Sequence, residues 1–231
     1  MKQSPWLNIL FLFGLIPATL FLGRSIPGRW YYLTSTLVIV EIMVPFFVSF
    51  ERRRPEAREL VIVGVMAALA AASRVAFTLL PSFKPNTAIV MLTGIALGPE
   101  AGFLTGAISA FASNFFFSQG PWTPWQMLSY GLGGFLAGLL FAGRPRLRKP
   151  WILTVFGFVA IMVVVGPILD LCTVFTTLTR FSWTSMLIIL GNGLVMNLTH
   201  AFSCAVTMLL FGRPLLEKLE RLKRKYGMLD A

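Results

Sequence analysis

Apolar positions in this chain come in long unbroken runs, without the strict alternation of a half-buried strand or the one-sided stripe of a soluble helix. Polar and glycine-proline punctuation divides them into eight segments, at about 6–22, 31–50, 60–80, 86–98, 101–117, 125–142, 151–176 and 185–211. Several approach the ~20 residues an α-helix needs to cross a ~30 Å hydrocarbon core. Helices satisfy their own backbone hydrogen bonds in lipid, so the pattern predicts an all-α polytopic membrane protein. The fourth segment is too short to span upright. It is expected to be tilted, or to be a half-length helix buried by its neighbours.

The stretch from Leu80 to Gln126 organises the rest. Two short apolar segments are broken at Gly98-Pro99-Glu100, and loops mixing Pro, Trp, Lys, Asn and Gln flank them. Both loops are expected on one side of the bilayer, around a ligand pocket opening to that side. Small residues at Gly102, Gly106 and Ala110, and at Gly134 and Gly138, favour close helix contact where apolar burial alone offers little drive.

Composition agrees with the pattern. The chain is 56% hydrophobic and 13% charged, with a mean hydropathy of +0.77. The net charge of +11 over 231 residues is topological and not a sign of nucleic acid. With a cytoplasmic N-terminus and eight crossings, fifteen basic residues fall inside and four outside (Arg24, Arg29, Lys84 and Arg180), while Arg74 lies within a helix. Both termini are then cytoplasmic. The tail EKLERLKRKYG continues the last helix, either as a solvated end or with a basic face against anionic headgroups. Lys2 and the run from Trp6 to Leu22 also suit a secretory signal. No small-x-small site follows, so a retained first helix is expected.

Candidate chemistry sits in the outer halves of the helices. Arg74 and Asp170 lie at comparable depth in the third and seventh segments. Charges there are costly, and they are expected close together, either lining a pocket or only bracing the packing. Asn86, Asn114, Gln119, Gln126, Asn192 and Asn197 gather near the outer ends with Lys84. They are read as interhelical glue or as ligand contacts. Trp122 and Trp125 form either an interfacial belt or a wall over the ligand. His200, the sole histidine, cannot build a histidine metal site and reads as structural. Glu41, near Pro45, is protonated or paired at a kink. Cys172 and Cys204 are small buried hydrophobes, so no metal site and no resident cofactor are expected.

The chain has no G-x-x-x-x-G-K-[ST], no H-E-x-x-H and no G-x-S-x-G. Ser109 and His200 are present as material for an intramembrane serine–histidine site, but no elbow surrounds Ser109. The protein is not expected to be an enzyme.

The stretches SFKPNTAIV, TGIALGPEAGFLTGAISAFASNFFF and GPWTPWQM, with the glycine-rich helix that follows, carry a resemblance. From about Glu59 onward the sequence resembles the substrate-binding S components of energy-coupling factor (ECF) vitamin transporters, most closely the cobalamin type. The resemblance implies a six-helix S-component bundle at about 60–211, within a domain of residues 56–231. Residues 1–55 would add two membrane helices outside that pattern. It implies vitamin capture outside a prokaryotic plasma membrane and toppling to release it inside. The partners would be a membrane coupling subunit and two cytoplasmic ATPases that use the ATP. A small-residue stripe on the first helix of the bundle would dock on the coupling subunit, either Ala67/Ala71 or Gly64/Ala68/Ala72. Cobalamin or another corrinoid is the expected cargo, with riboflavin, folate or a queuosine precursor as alternatives. A structural or regulatory membrane protein is the rival of a different class.

Overall fold

The computed structural model describes residues 15, 17–19, 30–52, 55–178 and 182–226. Its helices are α1 (Trp30–Arg52), α2 (Ala57–Ala76), α3 (Asn86–Leu97), α4 (Pro99–Phe117), α5 (Thr123–Phe141), α6 (Pro150–Ala160), α7 (Gly166–Thr177) and α8 (Trp183–Lys225). The second to sixth predicted segments correspond to α1–α5. The first, at 6–22, lies almost wholly outside the described residues. Proline opens α4, α5 and α6 within their first two positions, where the missing N–H would have had no intrahelical partner. α2 stops at Ala76, a turn before the predicted end. Its last N–H groups tighten onto Ser73 and Val75 ahead of Pro81.

The seventh segment is not one regular helix. Residues Ile161–Val165 form a π turn between α6 and α7, closed by the Gly166 N–H donating to the Ile161 carbonyl. Pro167 has no N–H to continue the i→i−4 ladder, so the wider turn absorbs the defect. Ser129 of α5 donates to the Val165 carbonyl at 2.9 Å and satisfies it from a neighbouring helix.

Every residue of α3 is buried, as expected of a half-length helix apolar all round. It packs against α2, α4, α5 and α8. Among the described residues, four stretches are long and apolar enough to cross a membrane: within α1, α2, the α6–α7 run, and α8. α3, α4 and α5 meet at a glycine seam. A Cβ on Gly102 would fall 2.7 Å from the Gly94 Cα and from the Gly134 carbonyl carbon, and one on Gly106 would fall 2.5 Å from the Tyr130 carbonyl carbon. Backbone approaches this close admit no side chain, so glycine is obligatory here. α1 covers the outer face of α4 and α5, with Phe46 stacked on Phe103 at 4.2 Å and edge-on to Phe135. Glu41 of α1 accepts a 2.5 Å bond from Thr19.

The two ends of the bundle differ. At one, Arg148 bridges Glu220 and donates to the Phe141 and Ile95 carbonyls, while Lys223 donates to the Ala96 carbonyl. These cations satisfy carbonyls at helix C-termini, where the dipole favours positive charge. Arg58 meets the Tyr226 carbonyl at the same end. α8 reaches it as 43 continuous residues, about 65 Å at ~1.5 Å per residue, roughly twice the hydrocarbon thickness. The opposite end carries Arg74, the 77–85 turn and the 118–122 turn.

Candidate polar site at the Arg74 end of the bundle

Three helix ends converge here: the last turn of α2, the last turn of α4 and the first two turns of α5. Arg74 is 7% exposed and is oriented by neutral groups. Its Nη1 donates to Ser113 Oγ at 2.7 Å and to Asn114 Oδ1 at 2.9 Å, and Nη2 reaches Gln126 Oε1 at 3.4 Å. Asn114 spends its amide N–H groups on Thr123 Oγ1 and Gln126 Oε1. The guanidinium lies 4.8 Å from the Phe117 ring centroid and 5.8 Å from that of Tyr130. Buried arginine normally demands such compensation, and stacking over aromatic faces supplies part of it.

Below Arg74 the cluster continues into α3 and α8. His200 pairs with Thr87 Oγ1 at 2.8 Å and stands edge-on to Tyr130. Arg74 and Lys84 both lie within electrostatic reach of Tyr130 and His200. Asn86 and the Tyr130 hydroxyl are buried against each other, and among the described residues neither Asn86 Oδ1 nor the hydroxyl meets full hydrogen-bond geometry. Native interiors rarely leave such groups unpaired, and Glu41 Oε2, Trp125 Nε1 and Ser203 Oγ share that state elsewhere in the bundle. A cleft of about 220 Å³ opens at Arg74, lined also by Lys84, Ser82, Thr78, Phe77, Leu80 and Phe117, with Asn86 and Tyr130 outside its lining. Ser82 and Ser118, which border this end, are the only non-glycine residues with positive φ among the described residues, at 58° and 72°. Strain of this kind costs ~1–3 kcal/mol and collects at functional sites.

The predicted residues divide. Arg74, Lys84, Asn86, Asn114 and Gln126 come together. Asp170 does not join them, contrary to its expected pairing with Arg74. Asn197 donates to Asp170 Oδ2 at 2.6 Å, and the other carboxylate oxygen packs on Gly193. Equal depth along two helices fixed neither the angle around the bundle nor the partner, and Ser113, Asn114 and Gln126 occupy the space an acid would need. Gln119 is exposed and braces the 118–122 turn, donating to the Phe111 carbonyl and accepting from Thr123. Trp122 is 38% exposed and bonded to the Ser118 carbonyl, whereas Trp125 is buried against Phe175 at 5.5 Å. Neither lines the cleft. Asn192 faces outward on α8. Ser109 donates to the Gly106 carbonyl and forms no dyad with His200.

Tyr130, Ser113 and Thr87 escaped the sequence reading. Tyr130 follows Gln126 by four residues and so shares its helix face, which is the signal that marks it. The two small-residue stripes of α2 face opposite ways. Ala67 and Ala71 are buried inside the chain, so they are not available for docking, while Gly64, Ala68 and Ala72 are exposed.

No curated protein and no solved structure matches the chain. The family model for the ECF-type riboflavin transporter S component matches residues 55–219, which takes in α2 to α8 almost entirely and leaves α1 outside. A membrane bundle of this make-up, with a polar site enclosed at one end, therefore belongs to the family of ECF-type riboflavin transporter S components, a family of transport subunits and not of catalysts.

Proposed function

We propose that the chain captures a riboflavin-like vitamin at the Arg74 end of the bundle and delivers it through a docked ECF coupling subunit with two ATPases. The observation that carries this is the buried Arg74, held by the neutral Ser113 and Asn114 and opening with Lys84 onto a cleft. The family's description supports a flavin over the corrinoid suggested by the QGPWTPWQ stretch. At about 220 Å³ the cleft is below the ~300–1,000 Å³ of usual ligand pockets, so part of the ligand enters it as it stands. A corrinoid demands far more opening than a flavin.

The basic end, with Arg58, Arg144, Arg146, Arg148 and Lys149, is the cytoplasmic one on charge grounds, which turns the cleft outward. Gly64, Ala68 and Ala72 offer a flat outward strip on α2 for the coupling subunit; small side chains permit close, reversible helix approach. Enlarging Ala68 and Ala72 to Leu is expected to abolish uptake while vitamin binding persists. Loss of binding as well would assign the strip to internal packing. Titrating the purified chain, without ATPases, against riboflavin, cobalamin, folate and a queuosine precursor tests the cargo. Saturable binding of riboflavin supports the proposal. Tight binding of cobalamin, with red protein on purification, would replace it with the corrinoid reading, and no binding of any would remove it.

A further inference from the structure

We infer that the cleft between Arg74 and Lys84 receives an oxyanion, a phosphate or carboxylate, so that the ligand it takes best is an anionic form. This rests on the preceding reading of the cleft as the ligand site. Arg74 commits three N–H donors to Ser113, Asn114 and Gln126, all uncharged. Its Nε–H and one Nη2–H have no acceptor among the described residues. A guanidinium offers such donors as a planar fork matched to a carboxylate or phosphate. Lys84 lines the same cleft half-buried, and makes no hydrogen bond or ion pair among the described residues.

Among the described residues no carboxylate pairs with either cation. Asp170, the carboxylate nearest in depth by sequence, is held by Asn197. Two uncompensated positive charges at the end of a membrane bundle are costly and normally mark a ligand or ion path. The walls around them, Phe77 and Phe117, are aromatic. The arrangement suits the charged end of an aromatic metabolite. A lipid phosphate shares that chemistry, so the source must be separated by experiment.

The test uses the full chain, in neutral detergent and in phosphatidylcholine nanodiscs. Titration with riboflavin and with riboflavin 5′-phosphate, followed by flavin fluorescence, is expected to favour the phosphate by about tenfold, the scale of one charge-assisted contact pair. Lys84→Gln, in a turn and half-exposed, should close most of that gap. Equal affinity, or preference for the neutral flavin, overturns the oxyanion inference and leaves the flavin reading standing. If neither flavin binds, the flavin reading fails, and a second measurement decides the inference alone. Pyrophosphate at matched ionic strength should raise the melting temperature of the wild-type chain and not of Lys84→Gln; no rise overturns the inference. A rise in phosphatidylcholine that phosphatidic acid abolishes assigns the oxyanion to a lipid headgroup, and a rise that survives it assigns the site to a soluble anion.

Discussion

Arg74 holds its position through other residues' amides, so its neighbours are as exposed to test as it is. Asn114 is wholly buried and bonds Arg74, Thr123 and Gln126 at once. Asn114→Leu leaves those groups short of partners, at about 1–3 kcal/mol, and is expected to lower both the melting temperature and vitamin affinity. Asn192→Ala, on the outward face of α8, should leave affinity within about twofold. Arg74 and Asp170 share no hydrogen-bond partner, so their alanine variants should add in stability to within ~0.5 kcal/mol; a larger coupling in a double-mutant cycle would restore the pairing. Arg74, Asn114 and Gln126 were legible in the sequence because polar groups in apolar runs are conspicuous. Tyr130 was not, since a membrane tyrosine reads first as an interfacial anchor. The Arg74–Asp170 pairing failed because sequence gives depth along a helix but not bearing around the bundle.

At the scale of elements, the close approach of α3, α4 and α5 is what sets the site's geometry. The small-residue faces of α4 and α5 were readable from spacing; that Gly94 of α3 completes the seam was not, because one glycine in an apolar run has no period. Gly134→Val places methyl groups against the Gly102 backbone and the Val90 side chain. Overpacking of this kind costs ~1–3 kcal/mol, so the variant should melt earlier and lose ligand. Gly64→Val, whose Cβ meets nothing within 4 Å, should melt within a degree or two of wild type and yet impair uptake. The half-length α3 was predictable from its length and even hydrophobicity. The π turn before Gly166 was not, although Pro167 marks where the ladder must break.

Taken whole, the molecule separates a basic end, where Arg148, Glu220 and Lys223 lock α8 to the end of α3, from an end where Arg74 and Lys84 border a cleft. That asymmetry is what a carrier that binds on one side and is driven from the other requires. α1 seals the flank of α4 and α5 from outside the matched family region, and its chain position gave no hint of that face. The central claim is that the Arg74 cluster holds the vitamin. Calorimetric titration of riboflavin into the purified wild-type chain and into Tyr130→Phe, which removes only the buried hydroxyl next to Asn86, addresses it directly. The account predicts one ligand per chain and affinity weakened by about tenfold in the variant, the scale of one lost hydrogen bond in a dry site. Equal affinities with unchanged stoichiometry would place the ligand elsewhere and contradict it.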